Sequence, residues 1–563
     1  MSLRKSLLLA SVCASTVVLA TMLAANAHAT APATVGAVAP ADLAWDSLQE
    51  NAVSTATPVK HLVIIYQENV SFDHYFGTYP VATNPAGEPV FHALAHSPTT
   101  TNHGVNGLTL ALLTSNPNLS NPANGVNAAN PFRLDRTQAV TADQNHSYTP
   151  EQQAEDNGAA DLFPEFTGNG ITGGAGAFGT KGQVMGYFDG NTVTALWNYA
   201  QHFAMSDSAF TDTYGPSTPG ALEVVAGQTN GFSTVVNTAS KTSNYVSDGQ
   251  GGYTLINDID PAYDACSSTS DTGIVNAKNI GDLLNAAKLT WGGFMGGFNL
   301  NATNVNGTTG CGRTTTNLAE TYTDYVPHHM WFQYFASTAN PTHARPAKLS
   351  AIGYSFDHNG AADPANHQYD LSDFYTSVAA GNFPSVSYIK MPAGQDGHAG
   401  YSDPLDEQAG VVKLVNFLEN QPGWSNTAII ITYDDSDGWY DHAFTSAIHG
   451  SFDATADQLN GAGKCGTAGS QPDGISGNPV NGRCGPGVRI PFLVISPWAK
   501  TNYVDHTAIS QASIVRFIED NWLGGERLGG GSFDATAGSI MTLFNFAGTG
   551  TAPKLLLQPA TGK

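Results

Sequence analysis

Three apolar runs punctuate the chain: "HLVIIY" (61–66), "AIIITY" (428–433) and "IPFLVIS" (490–496). They are rich in branched residues and too short for helices, so the pattern predicts buried strands. Elsewhere apolar positions recur at helical spacing: Ile280, Leu283, Leu284 and Ala287, then Val411, Leu414, Val415 and Leu418, then Ile514, Phe517 and Ile518. Strands alternating with helices predict an α/β fold with a mainly parallel sheet covered on both faces. The Asn-, Gly- and Pro-rich stretches 114–131, 168–182 and 461–487 read as long loop insertions, and no internal repeat is present.

The N-terminal pattern is of a different kind. "MSLRK" is basic, "SLLLASVCASTVVLATMLA" is apolar, and "AHA" precedes Thr30. These are the parts of a signal peptide over 1–29, so cleavage after Ala29 and export to the periplasm or beyond are expected. Residues 30–57, rich in Ala, Pro and Thr, read as a flexible leader, and 58–563 as a single domain with inserted loops. No later apolar stretch approaches the ~20 residues of a membrane span, so no stable membrane insertion is expected.

Cysteine content agrees with export. Cys13 leaves with the signal peptide, and Cys266, Cys311, Cys465 and Cys484 remain as an even set. Pairing of neighbours, 266 with 311 and 465 with 484, is expected among three possible connectivities, with free buried thiols as the alternative. The spacing lacks the short C-x-x-C pairs of zinc sites.

Charge narrows the partners. With 22 basic and 46 acidic residues the formal charge is −24, which repels nucleic acid and anionic lipid surfaces. A small anionic substrate needs a local cation, and no basic cluster supplies one. A metal ion would serve.

Two of the apolar runs end on oxygen ligands. The first leads into "YQENVSFDH", with Glu68 and Asn69, and the second into "YDDSDGWYDH", with Asp434 and Asp435. Ligands bind outside the carboxyl ends of strands in open α/β sheets, so two such ends could converge on one point. Adjacent carboxylates repel unless a cation neutralises them, and an all-oxygen set suits a hard or borderline divalent ion. An acidic turn is the local alternative for "DDSDG".

The nucleophile candidate lies in "GPSTPGALEVVA". Gly215 and Pro216 turn the chain, Pro219 suits the start of a helix, and Ser217 or Thr218 should stand at its N-terminus. Unpaired N–H groups there favour an alkoxide and a phosphate, although an ordinary N-cap has the same sequence. The segment is not the G-x-S-x-G elbow of α/β-hydrolases. Candidate histidines are His146, His328, His329 and His398, able to hold phosphate oxygens or protonate a leaving group. "CGPGVR" (484–489) imitates a sulfatase signature, but with one residue too many and a cysteine expected in a disulfide.

Taken together, "HLVIIYQENVSFDHYFGTYP", "DQNHSYTPEQQAEDNG", "SDSAFTDTYGPSTPG", "YVPHHMWFQYFASTANP", "TYDDSDGWYDH" and "GVRIPFLVISPWAKTNYVDH" make the chain resemble a bacterial phosphoesterase family. That family holds secreted acid phosphatases of the AcpA type and the non-specific phospholipases C. The resemblance runs in order along almost the whole expected mature chain. It implies an alkaline-phosphatase-like α/β/α sandwich that hydrolyses phosphate esters through a phosphoserine. It further implies one divalent metal ion, of unknown identity, on Glu68, Asn69, Asp434, Asp435 and Ser217. Ser217 is then the nucleophile, and His146, His328, His329 and His398 surround the phosphate. "GPSTPG", "DD" and "PHHMWFQYF" are similar to the phosphatase branch. A secreted acid phosphatase acting on small phosphate monoesters is therefore expected, with a phospholipase C as alternative. The Asn/Gly-rich loops alone support a third reading, a non-catalytic binding protein.

Overall fold

The computed structural model describes residues 54–563 apart from 239–241, 358, 549 and 551–553. The expected signal peptide with Cys13, and residues 30–53 of the expected leader, lie outside the described residues. The last part of that leader is held: the Ala56 amide donates to the Asn521 carbonyl (2.9 Å) and the Thr57 hydroxyl to Asn521 Oδ1 (2.8 Å).

A central eight-stranded sheet contains the predicted strands. In chain order it uses β1 (His61–Gln67), β2 (Ala204–Ser206), β3 (Trp291–Met295), β4 (Gln368–Asp370), β5 (Val386–Lys390), β6 (Thr427–Tyr433), β7 (Phe492–Ile495) and β8 (Tyr503–Asp505). The spatial order is β4-β3-β5-β1-β6-β7-β2-β8. The pairings from β4 to β6 are parallel, as is β2 with β8, while β7 runs against both of its neighbours. The reason lies in the connection. Residues 434–491 between β6 and β7 contain no helix, so the chain re-enters from the edge it has just left, as an antiparallel neighbour does.

Helices cover both faces. The main ones are α1 (Tyr148–Glu155), α2 (Ser217–Ala226), α3 (Ile280–Ala286), α4 (Leu371–Ala379), α5 (Pro404–Glu419) and α6 (Ala512–Trp522). Side chains alternate across the strands, and their hydroxyls identify the two layers. Tyr66 donates to the Gly220 carbonyl (2.8 Å) and Tyr388 to that of Val224 (3.2 Å), both on α2. On the opposite face Tyr433 donates to Glu407 of α5 (2.5 Å), and Phe294 packs edge-on against Phe374 of α4. This is the α/β/α sandwich of an alkaline-phosphatase-like fold, and its sheet residues are almost wholly buried.

The insertions have structure of their own. Asn230–Asn237 centres a five-stranded sheet that the hydrophobic pattern does not announce. The stretch 114–131, expected as loop, contains a short helix at Pro117–Ser120 and a 3-10 segment at Pro122–Asn127. Each starts on proline, with an asparagine side chain, Asn116 or Asn121, capping it. Both expected disulfides are present, Cys266–Cys311 and Cys465–Cys484, and the second ties the 461–487 insertion.

Candidate active site

The carboxyl ends of β5, β1 and β6 lie side by side, because Ile65 is in register with both Ile389 and Ile431. The next residues along each strand therefore emerge at one edge of the sheet: Lys390 from β5, Glu68 and Asn69 after β1, Asp434 and Asp435 after β6. Backbone bonds lock the two acidic ends together. Asn69 N–H donates to Asp434 Oδ1 (3.0 Å) and Val70 N–H to the Asp435 carbonyl (2.9 Å). Asn69 takes the left-handed conformation (φ 55°), which asparagine tolerates better than most residues, and this turns its amide into the site.

Ser217 reaches the cluster from the other side. It is the first residue of α2, with Pro216 as N-cap, and its Oγ lies 3.0 Å from Glu68 Oε2, 3.3 Å from Asp435 Oδ2 and 3.4 Å from Asn69 Oδ1. Two glycines permit this approach. Gly215 has φ 120°, and a Cβ on Gly220 would sit 2.3 Å from the Asp434 carbonyl oxygen. Thr218 is held by Asp258, which accepts from its N–H and its hydroxyl, both at 2.9 Å.

The donor set fits a cation. Glu68, Asn69, Asp434 and Asp435 are each at most 1% exposed. Burial and the neighbouring Asp434 push the carboxyls of Glu68 and Asp435 well above the usual carboxylate range. Asp434 is held below it, because Lys390 and its hydrogen bonds outweigh burial. Three buried carboxylates cannot all ionise without more positive charge.

The Asn69 amide makes the same point. In one orientation its nitrogen is 2.6 Å from Glu68 Oε2 and 3.0 Å from Asp434 Oδ1; in the other its oxygen takes that position, and its NH₂ faces Nε2 of His146 and His398. The second orientation gives the NH₂ an acceptor in Nε2 of His398, and the resulting all-oxygen cluster is stable only around a positive ion. The residues that would hold a divalent ion are thus Glu68, Asn69, Asp434, Asp435 and the Ser217 hydroxyl.

The four histidines divide. His146 and His398 stand over Asn69, their Nδ1 atoms turned to the carbonyls of Gln144 (2.9 Å) and Ala399 (2.6 Å). His329 is buried with Nδ1 3.2 Å from Glu68 Oε1, without hydrogen-bond alignment. His328 faces outward to Asp260 Oδ1 (3.4 Å) and belongs to the rim. Burial lowers His398 and His329, the latter further through the charges of His328 and Lys390. For His146 burial is outweighed by Asp435 and Asp437, and for His328 by Asp258 and Asp260, so both are raised. The surroundings thus push two of the imidazoles towards the charged form and two towards the neutral one.

Several site residues escape sequence reasoning. Lys390 ion-pairs with Glu68 Oε1, and Asp396 groups with Glu68 and His329. Glu151 of α1 joins two loops of the site, accepting from the Gly215 N–H (3.0 Å) and the Ser436 hydroxyl (2.6 Å). Burial pushes its carboxyl up to about 7. The one available signal was "SYIK", a third strand whose last residue is charged, as at the other two strand ends.

The chain is similar in sequence to known proteins. The sequence model of the Phosphoesterase family matches residues 59–523. The non-hemolytic phospholipase C of Pseudomonas aeruginosa is 29% identical over 192 residues, covering 33% of this chain and 27% of that protein. That of Burkholderia pseudomallei is 31% identical over 174 residues, covering 28% and 24%. The match to these two spans about a quarter of their length. Phospholipase C A of Mycobacterium tuberculosis is 24% identical over 482 residues, covering 82% of this chain and 72% of that one.

Proposed function

The chain belongs to the Phosphoesterase family, and from that premise we propose that it is an exported, metal-dependent acid phosphatase that hydrolyses small phosphate monoesters through a phosphoserine on Ser217. Residues 58–563 form its catalytic domain. The observation that carries the reading is the Ser217 hydroxyl, at the N-terminus of α2 and within 3.4 Å of Glu68, Asn69 and Asp435. When bound there, a divalent ion supplies positive charge to the serine oxygen and to a phosphoryl oxygen.

The chain's own residues do the rest. Phosphoryl transfer asks mainly for positioning and charge neutralisation. Glu68 Oε2 accepts the Ser217 proton as Oγ bonds to phosphorus and the ester P–O bond breaks. His146, pushed towards its charged form by Asp435 and Asp437, donates its Nε2 proton to the departing alkoxide. Neutral His146 then takes a proton from the water that attacks the phosphoserine, and Glu68 returns its proton to Ser217. His398 orients the Asn69 amide, and the N-terminus of α2 faces the phosphoryl oxygens. Export is supported by the two disulfides, and no described helix is long and apolar enough to cross a membrane.

The names of the relatives favour a second reading, cleavage of phospholipid headgroup esters. Side-by-side assay on p-nitrophenyl phosphate and phosphatidylcholine separates the two. Hydrolysis of the first, abolished in Ser217→Ala, is expected. Turnover of phosphatidylcholine alone would replace the phosphatase with a phospholipase C, and no turnover of either would favour a binding protein.

A further inference from the structure

A cavity of ≈ 1200 Å³ opens beside Ser217. Its lining includes His146 and Pro216, the residue before the nucleophile, with further residues from the segments around 143–150, 243–247, 256–258 and 453–456. The walls are braced to the catalytic elements. Asp258 holds both the N–H and the hydroxyl of Thr218, and Asn257 Oδ1 accepts from the Tyr148 N–H of α1 (3.1 Å). The Asn244 amide donates to the Asp258 carbonyl (2.6 Å). An occupant is therefore registered against Ser217 by fixed structure.

The lining has a definite chemistry. It presents amides and hydroxyls, including Asn145, Thr149, Asn169, Ser243 and Ser247, with carboxylates at Asp143, Asp258 and Asp453. Among the described residues that line it there is no lysine or arginine. The aliphatic members Val246, Ile256 and Ala456 are themselves buried, and Tyr245, Pro150 and Pro216 supply the rest of an apolar wall that is smaller than the polar one. An acyl chain would leave the larger, polar part of this lining unsatisfied, since its affinity depends on apolar area removed from water. A leaving group with further phosphates would face three carboxylates on a chain of charge −24, with no lysine or arginine among the lining residues to receive it. A neutral group dense in hydroxyls can both donate to the carboxylates and accept from the amides.

We infer that this cavity holds the leaving group of the ester and that this group is a polyol, so that the substrate is a sugar monophosphate or a similarly hydroxylated monoester. The inference rests on Ser217 being the phosphoryl acceptor. It gives the Asn/Ser/Thr-rich insertions a use: they replace the apolar wall that a lipid would need. The volume, somewhat above the range of about 300–1,000 Å³ usual for ligand pockets, accommodates a hexose with bridging waters.

Calorimetric titration of Ser217→Ala protein with a hexose monophosphate and with inorganic phosphate tests it without relying on turnover. The sugar ester should bind at least ~10-fold more tightly, a gain of about 1.4 kcal/mol. Ser243 is exposed on the cavity rim, and Ser243→Trp should erase that gain while leaving the affinity for inorganic phosphate unchanged, which also reports an intact fold. In the active protein the hexose ester should exceed adenosine monophosphate and phosphatidylcholine in kcat/KM. Equal affinity for sugar ester and inorganic phosphate, or preference for the nucleotide or the lipid, overturns the cavity assignment and leaves phosphoester hydrolysis standing. Failure to hydrolyse even p-nitrophenyl phosphate sinks the reading beneath it, and the cavity assignment with it.

Discussion

Two acidic clusters, built from the same two loops, differ in how their charge is met. The loop after β1 supplies Glu68 and Asn69 to one and Asp73 to the other; the loop after β6 supplies Asp434 and Asp435 to the first, Asp441 and His442 to the second. In the second cluster the cation is part of the chain. Arg489, fully buried, lies 3.1 Å from Asp73 and 3.0 Å from Asp441, and also donates to the carbonyl of Asp207 (2.9 Å). Despite burial, His442 and Arg489 hold the Asp73 carboxyl below its ordinary range. In the first cluster the only lysine or arginine among the described residues is Lys390, paired with the outer oxygen of Glu68. Its inner oxygens, with those of Asn69 and Asp435, converge on the Ser217 hydroxyl. A buried carboxylate group completed by arginine is structural; one left short of positive charge can take a metal and act on an anion.

The largest effect that should separate the clusters is catalytic. Ser217→Ala is expected to lower kcat on p-nitrophenyl phosphate by at least ~10³-fold while the metal content stays that of the parent. Loss of metal together with activity would make Ser217 a ligand above all. Chelation should abolish activity reversibly and leave the Arg489 cluster untouched.

The converse variant acts on stability. Arg489→Met leaves Asp73 and Asp441 buried without their partner, which costs about 3–5 kcal/mol. Chemical denaturation should show that loss, with kcat per folded molecule close to the parent. A drop in kcat without a drop in stability would place Arg489 in the chemistry.

Which parts of this were legible beforehand follows from how local the signals are. β1 and β6 announce themselves because an unbroken apolar strand stops abruptly on charged residues, and that edge is where α/β folds gather ligands. The α2 start was legible from Gly215, Pro216 and Pro219 together. Glu151, Asp396 and Lys390 were not, since a single carboxylate on a helix or a single lysine at a strand end is indistinguishable from a solvated one until the packing is known. Arg489 had been noticed only as part of an imperfect sulfatase signature, and its partners lie some 50 and 400 residues away in sequence. The sheet around Asn230–Asn237 was missed because five of that strand's eight residues are not buried and it carries no sustained apolar run.

A smaller effect tests whether the two loops are coupled. Glu151 links Gly215, beside the nucleophile, to Ser436, beside the acidic pair. Glu151→Gln keeps one acceptor and should lower kcat about 10-fold with little change in KM; Glu151→Ala should do more. If both variants keep full kcat, the brace is structural only.

The smallest effect is on stability against pH. Burial holds His74 down to about 3, stacked on Trp439 and bonded to the Gly186 carbonyl. Below about 6.5 the unfolded chain binds a proton that the folded chain refuses. This contribution is therefore complete above that pH and declines by about 1.4 kcal/mol per unit as the pH falls towards 3. His74→Phe should make the acid-side slope of unfolding free energy shallower by one proton. An unchanged slope would mean that the ring is charged in the folded protein.

The central claim is that the first cluster needs an added cation and the second does not. Elemental analysis of purified protein tests it directly, on the parent, Asp434→Ala/Asp435→Ala and Arg489→Met. One divalent ion per chain in the parent and in Arg489→Met, and none in the aspartate double variant, is the result predicted. A parent that is active yet binds no divalent ion, or a double variant that keeps its ion, would contradict it.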